Sequence, residues 1–227
     1  MKISLICPSR ERPELSFANV QHWYGMRSRS VEVEIIVSLD NDDPKRDRYV
    51  QLYWDTVANL TSDWNKSSVE AINRGAELVS GDIIMVVSDD TKCINNWDEA
   101  ILKEVEGKTD WILKTQDGIQ KWIVTFPILD RKYLERTGYI YHPSFDHMFC
   151  DTYMSCVADI NGRRITSPLV FPHNNDSIKD DLRKRTDATW KQGEETFIRL
   201  MKQFTPEERS RIQDPSMKNW LRNKGVR

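Results

Sequence analysis

The stretch Gly81-Asp82-Ile83-Ile84-Met85-Val86-Val87-Ser88-Asp89-Asp90-Thr91 decides the fold. Five consecutive apolar residues, Ile83 to Val87, stand between Gly81 and the polar Ser88. An uninterrupted run of that length suits a strand covered on both faces, in the middle of a parallel sheet. Ligands of open α/β sheets gather just beyond the carboxyl ends of such strands. The run therefore delivers two adjacent carboxylates, Asp89 and Asp90, to a place where a divalent cation and a phosphorylated ligand can meet.

Upstream, Ile3–Cys7 reads as a first strand ending in Pro8-Ser9-Arg10, and a helix follows from about Pro13 to Tyr24. Val31–Leu39 reads as a second strand, ending in Asp40-Asn41-Asp42-Asp43-Pro44. Residues 45–60 are mixed, with Tyr49, Leu52, Tyr53 and Val57 at helical spacing. Ser67 with Glu70 three residues on has the form of a capping box. It opens a helix whose apolar positions are Val69, Ile72, Ala76 and Val79, stopped by Ser80-Gly81. Strand, helix, strand, helix, strand with short links predicts a right-handed, mostly parallel α/β core of Rossmann-like build, flanked by helices.

The second half is less regular. Trp97–Val105 predicts a short helix, and Trp111–Lys114 and Trp122–Phe126 read as strands around Asp117-Gly118, a hairpin signal. Asp130–Arg136 predicts a helical turn closed by Gly138, Asp146–Asp159 a helix and Arg164–Phe171 a strand. From Ser177 the chain is charged and helical in pattern, and Thr205-Pro206-Glu207-Glu208 marks a helix start. The expected organisation is one domain over 1–176, with halves 1–92 and 93–176, and a helical extension over 177–227.

Composition narrows the class. The 227 residues carry 33 Lys+Arg against 35 Asp+Glu, a net charge of −2, which gives no global attraction to nucleic acid or anionic lipid. No apolar stretch approaches membrane-spanning length, and the run after Lys2 is too short for a signal sequence. Cys7, Cys93, Cys150 and Cys156 lack zinc-like pairing and read as free buried thiols. The expectation is a reduced, cytoplasmic protein, with peripheral membrane association left open.

The ordered motifs of the first ninety residues resemble those of family 2 type glycosyltransferases, which have the A-type nucleotide-sugar fold. Pro8-Ser9-Arg10-Glu11-Arg12-Pro13 is similar to the family's opening P-x-x-x-R-P. Asp40 ends the second strand, where the family holds the nucleotide base. Asn65, Ala71, Asn73 and Gly75 echo its N-x-G-x-x-x-A-x-N-x-G helix. Ala76 to Asp90 matches its A-x-G-x-x-I-x-x-x-D-x-D, although Ser88-Asp89-Asp90 stands where the family has Asp-x-Asp, and Ser67 stands where it has glycine.

The resemblance implies a metal-dependent transfer of a sugar from a nucleoside diphosphate, with UDP the expected nucleotide, to an acceptor hydroxyl with inversion. It implies Mn2+ or Mg2+ at Asp89 or Asp90, with His173 of Phe171-Pro172-His173 as a further ligand. Pro8, Ser9, Arg10, Arg12, Asp40, Asp42, Asn73, Arg74, Ser88 and Asp89 are the expected donor-binding set. Only Cys150-Asp151 represents the usual Glu-Asp pair, so Asp151 is the candidate base and Asp146 its alternate. Trp111, Trp122, Tyr141 and Asp117 are the candidates for holding the acceptor. Two other readings stay open: a catalytically weak nucleotide- or sugar-binding module, and a nucleotidyltransferase, against which the glycine-free loop after the first strand argues. In the extension, Trp190, Phe197, Met201 and Phe204 form one apolar stripe, suited to packing on the core or on a second subunit. Lys218, Arg222, Lys224 and Arg227 make its end basic.

Overall fold

The computed structural model describes residues 1–173 and 181–226. The expected helix start at Ser177 and the terminal Arg227 lie outside the described residues. In chain order the elements are β1 (Lys2–Pro8), α1 (Pro13–Gly25), β2 (Glu32–Asp40), α2 (Arg46–Tyr53), β3 (Ala58–Asp63), α3 (Ser68–Ala76), β4 (Ile83–Val86), α4 (Trp97–Val105) and β5 (Ile112–Gln116). There follow β6 (Ile128–Asp130), α5 (Arg131–Thr137), α6 (Cys150–Ile160), β7 (Arg164–Val170), α7 (Asp181–Ala188), α8 (Trp190–Met201), α9 (Pro206–Ser210) and α10 (Pro215–Asn223).

Among the described residues, seven strands form one sheet in the order β3-β2-β1-β4-β6-β5-β7. All pairings are parallel except those of β6, which runs antiparallel to both β4 and β5. From β1 the chain winds outward to β2 and β3, then crosses back to β4 on the other flank of β1. The strand order therefore reverses between β1 and β4, and a crevice opens at their carboxyl ends. Both strands are wholly buried across their apolar runs, as the continuous hydrophobic pattern requires.

The predicted helix entry at Ser67 is present: its hydroxyl accepts from the Glu70 backbone N–H, while the Glu70 carboxylate reaches back to the Lys66 N–H. Thr205 and Glu208 complete a full reciprocal capping box. All four cysteines are free and buried.

Three elements differ from expectation. The helix expected over Asp146–Asp159 begins at Cys150, so Asp146 precedes it. Residues 58–63 of the mixed segment form β3, an edge strand, because the helical spacing ends after Tyr53 and Leu60 pairs with Val37 in the ladder. The antiparallel strand after β5 is β6, not 122–126. Residues 117–127 are a loop, folded by the Asp117 carboxylate, which accepts from the Ile119 and Gln120 N–H groups and from the Thr125 hydroxyl. Those bonds satisfy locally the polar groups that a hairpin would have paired.

The extension packs on the core. Phe197 and Met201 of α8 are fully buried, and Phe197 stacks on Phe149 at 5.7 Å and lies 5.7 Å from Trp220. The stripe predicted to cover a core or a partner is thus largely covered within the chain, by α6 and α10, while Trp190 stays 57% exposed. No helix among the described residues is long and apolar enough to cross a membrane.

Candidate active site

Asp89 and Asp90 follow one another at the end of β4 and point apart. Asp89 turns into the protein and is 5% exposed. The Ser9 hydroxyl donates to its Oδ2 at 3.1 Å, and the Cys7 Sγ lies 3.9 Å from its Oδ1. Ser9 also contacts the Tyr49 hydroxyl at 2.7 Å, which in turn accepts from the Arg12 backbone N–H. Burial pushes the Asp89 carboxyl up to about 7; the Ser9 bond and the nearby Arg12 charge oppose this, and the Asp90 charge adds to it. Asp89 thus ties the end of β4 to the loop after β1 from beneath.

Asp90 turns toward the crevice. Its Oδ2 stands 3.2 Å from His173 Nε2, and the Ser88 hydroxyl donates to its Oδ1. Burial raises the Asp90 carboxyl, but the bonds from His173 and Ser88 outweigh it, so the group lies below its ordinary value. His173 is fixed from several sides. Its backbone N–H donates to the Asp117 carbonyl at 3.0 Å, Thr91 bridges to it, and Phe126 meets its ring edge-on at 4.8 Å.

The donor set suits a hard divalent cation. Two cis ligands of an octahedral ion with bonds of about 2.1 Å stand about 3.0 Å apart, close to the 3.2 Å observed between imidazole nitrogen and carboxylate oxygen. An imidazole beside a carboxylate favours Mn2+ over Mg2+. Among the described residues there is no group of three or more His, Cys, Asp or Glu side chains that could hold a metal. A cation at this pair would take its remaining ligands from water or a bound anion.

Across the crevice lie the ends of β1 to β3. Arg10 donates to Asp40 at 2.8 Å and forks onto Asp42 at 2.6 and 3.2 Å. The Asp42 bond, and after it the Asp40 bond, hold the guanidinium above its ordinary pKa against burial. Asn65 donates to the other oxygen of Asp40 at 3.0 Å, so Asp40 is aligned from two sides. Asp43 is buried, accepting from the Lys45 and Glu11 backbone N–H groups, which splints the loop after β2 to the loop after β1. Arg74 reaches from α3 to Asp63 at 3.1 Å, beside Asp40 in the ladder. Pro8 ends β1, and the Ser88 carbonyl accepts from Asn19 Nδ2 at 2.6 Å.

Asp151 sits in the first turn of α6, its Oδ1 accepting from the Thr152 N–H and hydroxyl. Burial raises its pKa, and the nearby Asp117 charge adds to that. Asp146, its alternate, contributes a backbone carbonyl that accepts from Ser68 and Val69 at the start of α3.

The remaining candidates stand elsewhere or are otherwise engaged. Trp111 is buried at the amino end of β5, near Ile83 and Asp130, at the opposite end of the strands from Asp90. Asn73 accepts from the Ile140 and Tyr141 N–H groups and donates to the Tyr141 carbonyl. Tyr141 is buried and donates to the Thr125 carbonyl, and Trp122 donates to Asp159. Asp117 shapes the 117–125 loop through its carboxylate. Sequence reasoning missed three residues: Asn65 as the partner of Asp40, Arg185 of α7, which reaches Glu11 at 2.7 Å, and the fully buried Lys114. Of these, Lys114 was signalled by a lone charge inside an apolar strand.

No protein-family model and no curated protein matches the sequence. Solved structures do. A mannosyltransferase, PcManGT from Pyrobaculum calidifontis in complex with GDP-Man and Mn2+, superposes with a TM-score of 0.62 at 15% identity, covering 82% of this chain and 61% of that one. S. aureus TarS 1–349 in complex with UDP-GlcNAc gives 0.62 at 13% identity, covering 89% and 65%. The chain thus spans less than two thirds of the length of either. Its seven-stranded sheet, with the strand order reversing beside the Asp90–His173 pair, has the A-type fold of glycosyltransferases.

Proposed function

We propose that the protein is a metal-dependent glycosyltransferase that moves a sugar from a nucleoside diphosphate to an acceptor hydroxyl with inversion. The observation that carries this reading is the Asp90–His173 contact at 3.2 Å, set at the reversal point of the sheet, with the Arg10–Asp40 pair at the ends of the neighbouring strands β1 and β2. Asp90 and His173 hold Mn2+. When bound, the cation supplies Lewis-acid stabilisation of the diphosphate's developing negative charge.

The protein's own groups do the rest. Asp40, aligned by Asn65 and Arg10, accepts from the base; its single carboxylate suits the N3–H of uracil, so UDP is the first donor to try. Arg10 and Arg12, on the loop after β1, face the ribose and phosphates, and Ser9 is fixed beneath them by Asp89. Asp151, with its raised pKa, accepts the acceptor hydroxyl's proton as that oxygen attacks the anomeric carbon and the bond to the diphosphate breaks. The 117–125 loop, with Asp117 at its base, forms the wall on the acceptor side.

The test is isothermal titration of the protein with UDP- and GDP-sugars in the presence and absence of Mn2+, together with nucleotide release on a panel of acceptors. Manganese-dependent donor binding that disappears in Asp90→Ala supports the reading. Donor binding that ignores both manganese and that substitution overturns it.

A further inference from the structure

The pairing of β7 with β5 breaks register next to the site. Lys114 pairs with Thr166, but Gln116 pairs with Val170, so the ladder advances two residues on β5 and four on β7. The extra residues include Pro168, which has no N–H to give. Such a jump strands backbone carbonyls that a regular ladder would satisfy. Two side chains satisfy them here. Lys114 Nζ donates to the Thr115 carbonyl at 2.8 Å, to the Gln120 carbonyl at 3.1 Å and to Gln116 Oε1 at 3.2 Å. Gln116 Nε2 then donates across the strands to the Ser167 carbonyl at 3.2 Å.

Immediately beyond the jump, the Phe171 N–H donates to the Gln116 carbonyl at 2.8 Å and the His173 N–H to the Asp117 carbonyl at 3.0 Å. The position of the imidazole therefore depends on where the register resumes. A slip of one residue turns the side chain to the other face, and a slip of two carries it about 7 Å along the strand. Lys114 is 1% exposed, and a charge in that setting is costly unless fully bonded. Burial pulls its pKa down, while the neighbouring Asp117 carboxylate opposes this.

We propose that Lys114 and Gln116 are positioning residues that set the register of β7 and thereby hold the His173 imidazole against Asp90. The metal half of this inference rests on the transferase reading; the register half does not. Hydrogen–deuterium exchange of the metal-free protein tests the register, and electron paramagnetic resonance titration with manganese chloride, with and without UDP, tests the consequence. In Lys114→Met and in Gln116→Ala, exchange across 171–173 should rise at least tenfold while β1 and β4 keep their protection, and manganese affinity should fall at least tenfold. Gln116 is partly exposed, so its variant folds even if the lysine variant does not. Unchanged exchange at 171–173 in Gln116→Ala overturns the inference, as does faster exchange with wild-type manganese affinity. A wild-type protein that binds no manganese would sink the transferase reading instead, leaving the exchange result to decide the register.

Discussion

Asp90 and His173 are 83 residues apart in the chain, yet their side chains meet at 3.2 Å. The first is placed by the end of β4. The second is placed by the continuation of β7, two strands beyond β6. The sheet inserts β6 and β5 between the elements carrying them, and Thr91 and His173 then close the gap by bridging directly across the top. That bridge is the step that turns two strand ends into one site.

Removing either partner should therefore abolish metal-supported chemistry while sparing the fold. For Asp90→Ala and His173→Ala we expect losses in kcat/KM on the order of 100-fold or more, about 3 kcal/mol of transition-state stabilisation. Circular dichroism should be unchanged, and excess manganese should partly restore His173→Ala. Wild-type rates in Asp90→Ala would show that the pair has no part in the reaction.

Asp89 makes a different prediction, about stability. Its folded pKa of about 7 lies above the ordinary carboxylate value, so the folded state binds a proton more tightly than the unfolded chain. Stability from this group is fully present below about pH 4 and is lost as pH rises toward 7, by up to about 4 kcal/mol. Asp89→Asn removes the titration. Urea midpoints measured in EDTA should show the variant gaining on the wild type between pH 5 and pH 8. Parallel pH profiles for the two proteins would contradict the buried, weakly compensated environment.

Within the first ninety residues β1, β2 and β4 were legible because their apolar runs are buried and give way to polar residues at the carboxyl end. Asp40 and Asp90 could be placed at strand ends from spacing alone. The divergence of Asp89 from Asp90 could not, since it depends on Ser9, Cys7 and Tyr49 packing beneath the strand. Nor could the edge strand β3, whose Asn59-Leu60-Thr61-Ser62 pattern is half exposed and weakly apolar. Trp122–Phe126 misled for a related reason: it packs as part of the 117–127 loop over α6, which is held by three bonds to the Asp117 carboxylate and by bonds to Lys114, Ser155 and Arg164 that the pattern does not announce. Asn73 was singled out by a motif resemblance, which does not reveal that its amide pairs with the 140–141 backbone, 67 residues along the chain.

The extension should behave as part of the domain. Asp159 of α6 forms an ion pair with Arg164 at 2.8 Å and accepts from the Trp122 indole at 3.0 Å and from the Gln213 backbone N–H at 2.8 Å, with the Asp159 and Arg164 side chains essentially inaccessible. One carboxylate thus joins the core, the 117–127 loop and the segment between α9 and α10. Asp159→Ala leaves the Arg164 charge buried and unpaired, a change costing about 3–5 kcal/mol. Chemical denaturation should report that loss, and Arg164→Met combined with Asp159→Leu should recover much of it. A loss under 1 kcal/mol in Asp159→Ala would show that water reaches the pair.

Asp151→Asn separates catalysis from binding. A base at this position must be ionised to take the acceptor proton, and burial raises its pKa. The rate should therefore fall as pH drops, with a midpoint above that of an ordinary carboxylate. The asparagine keeps the bond acceptor at the start of α6 but cannot take a proton, so we expect kcat to fall by roughly 100- to 10,000-fold. Manganese and donor affinities, which the proposal assigns to Asp90, His173 and the Arg10–Asp40 cluster, should stay within about twofold of wild type, since none of those groups contacts Asp151. If the variant instead loses donor affinity in step with rate, Asp151 acts through α6 and the structure of the site; Asp146, which precedes the start of α6 at Cys150, then becomes the group to replace.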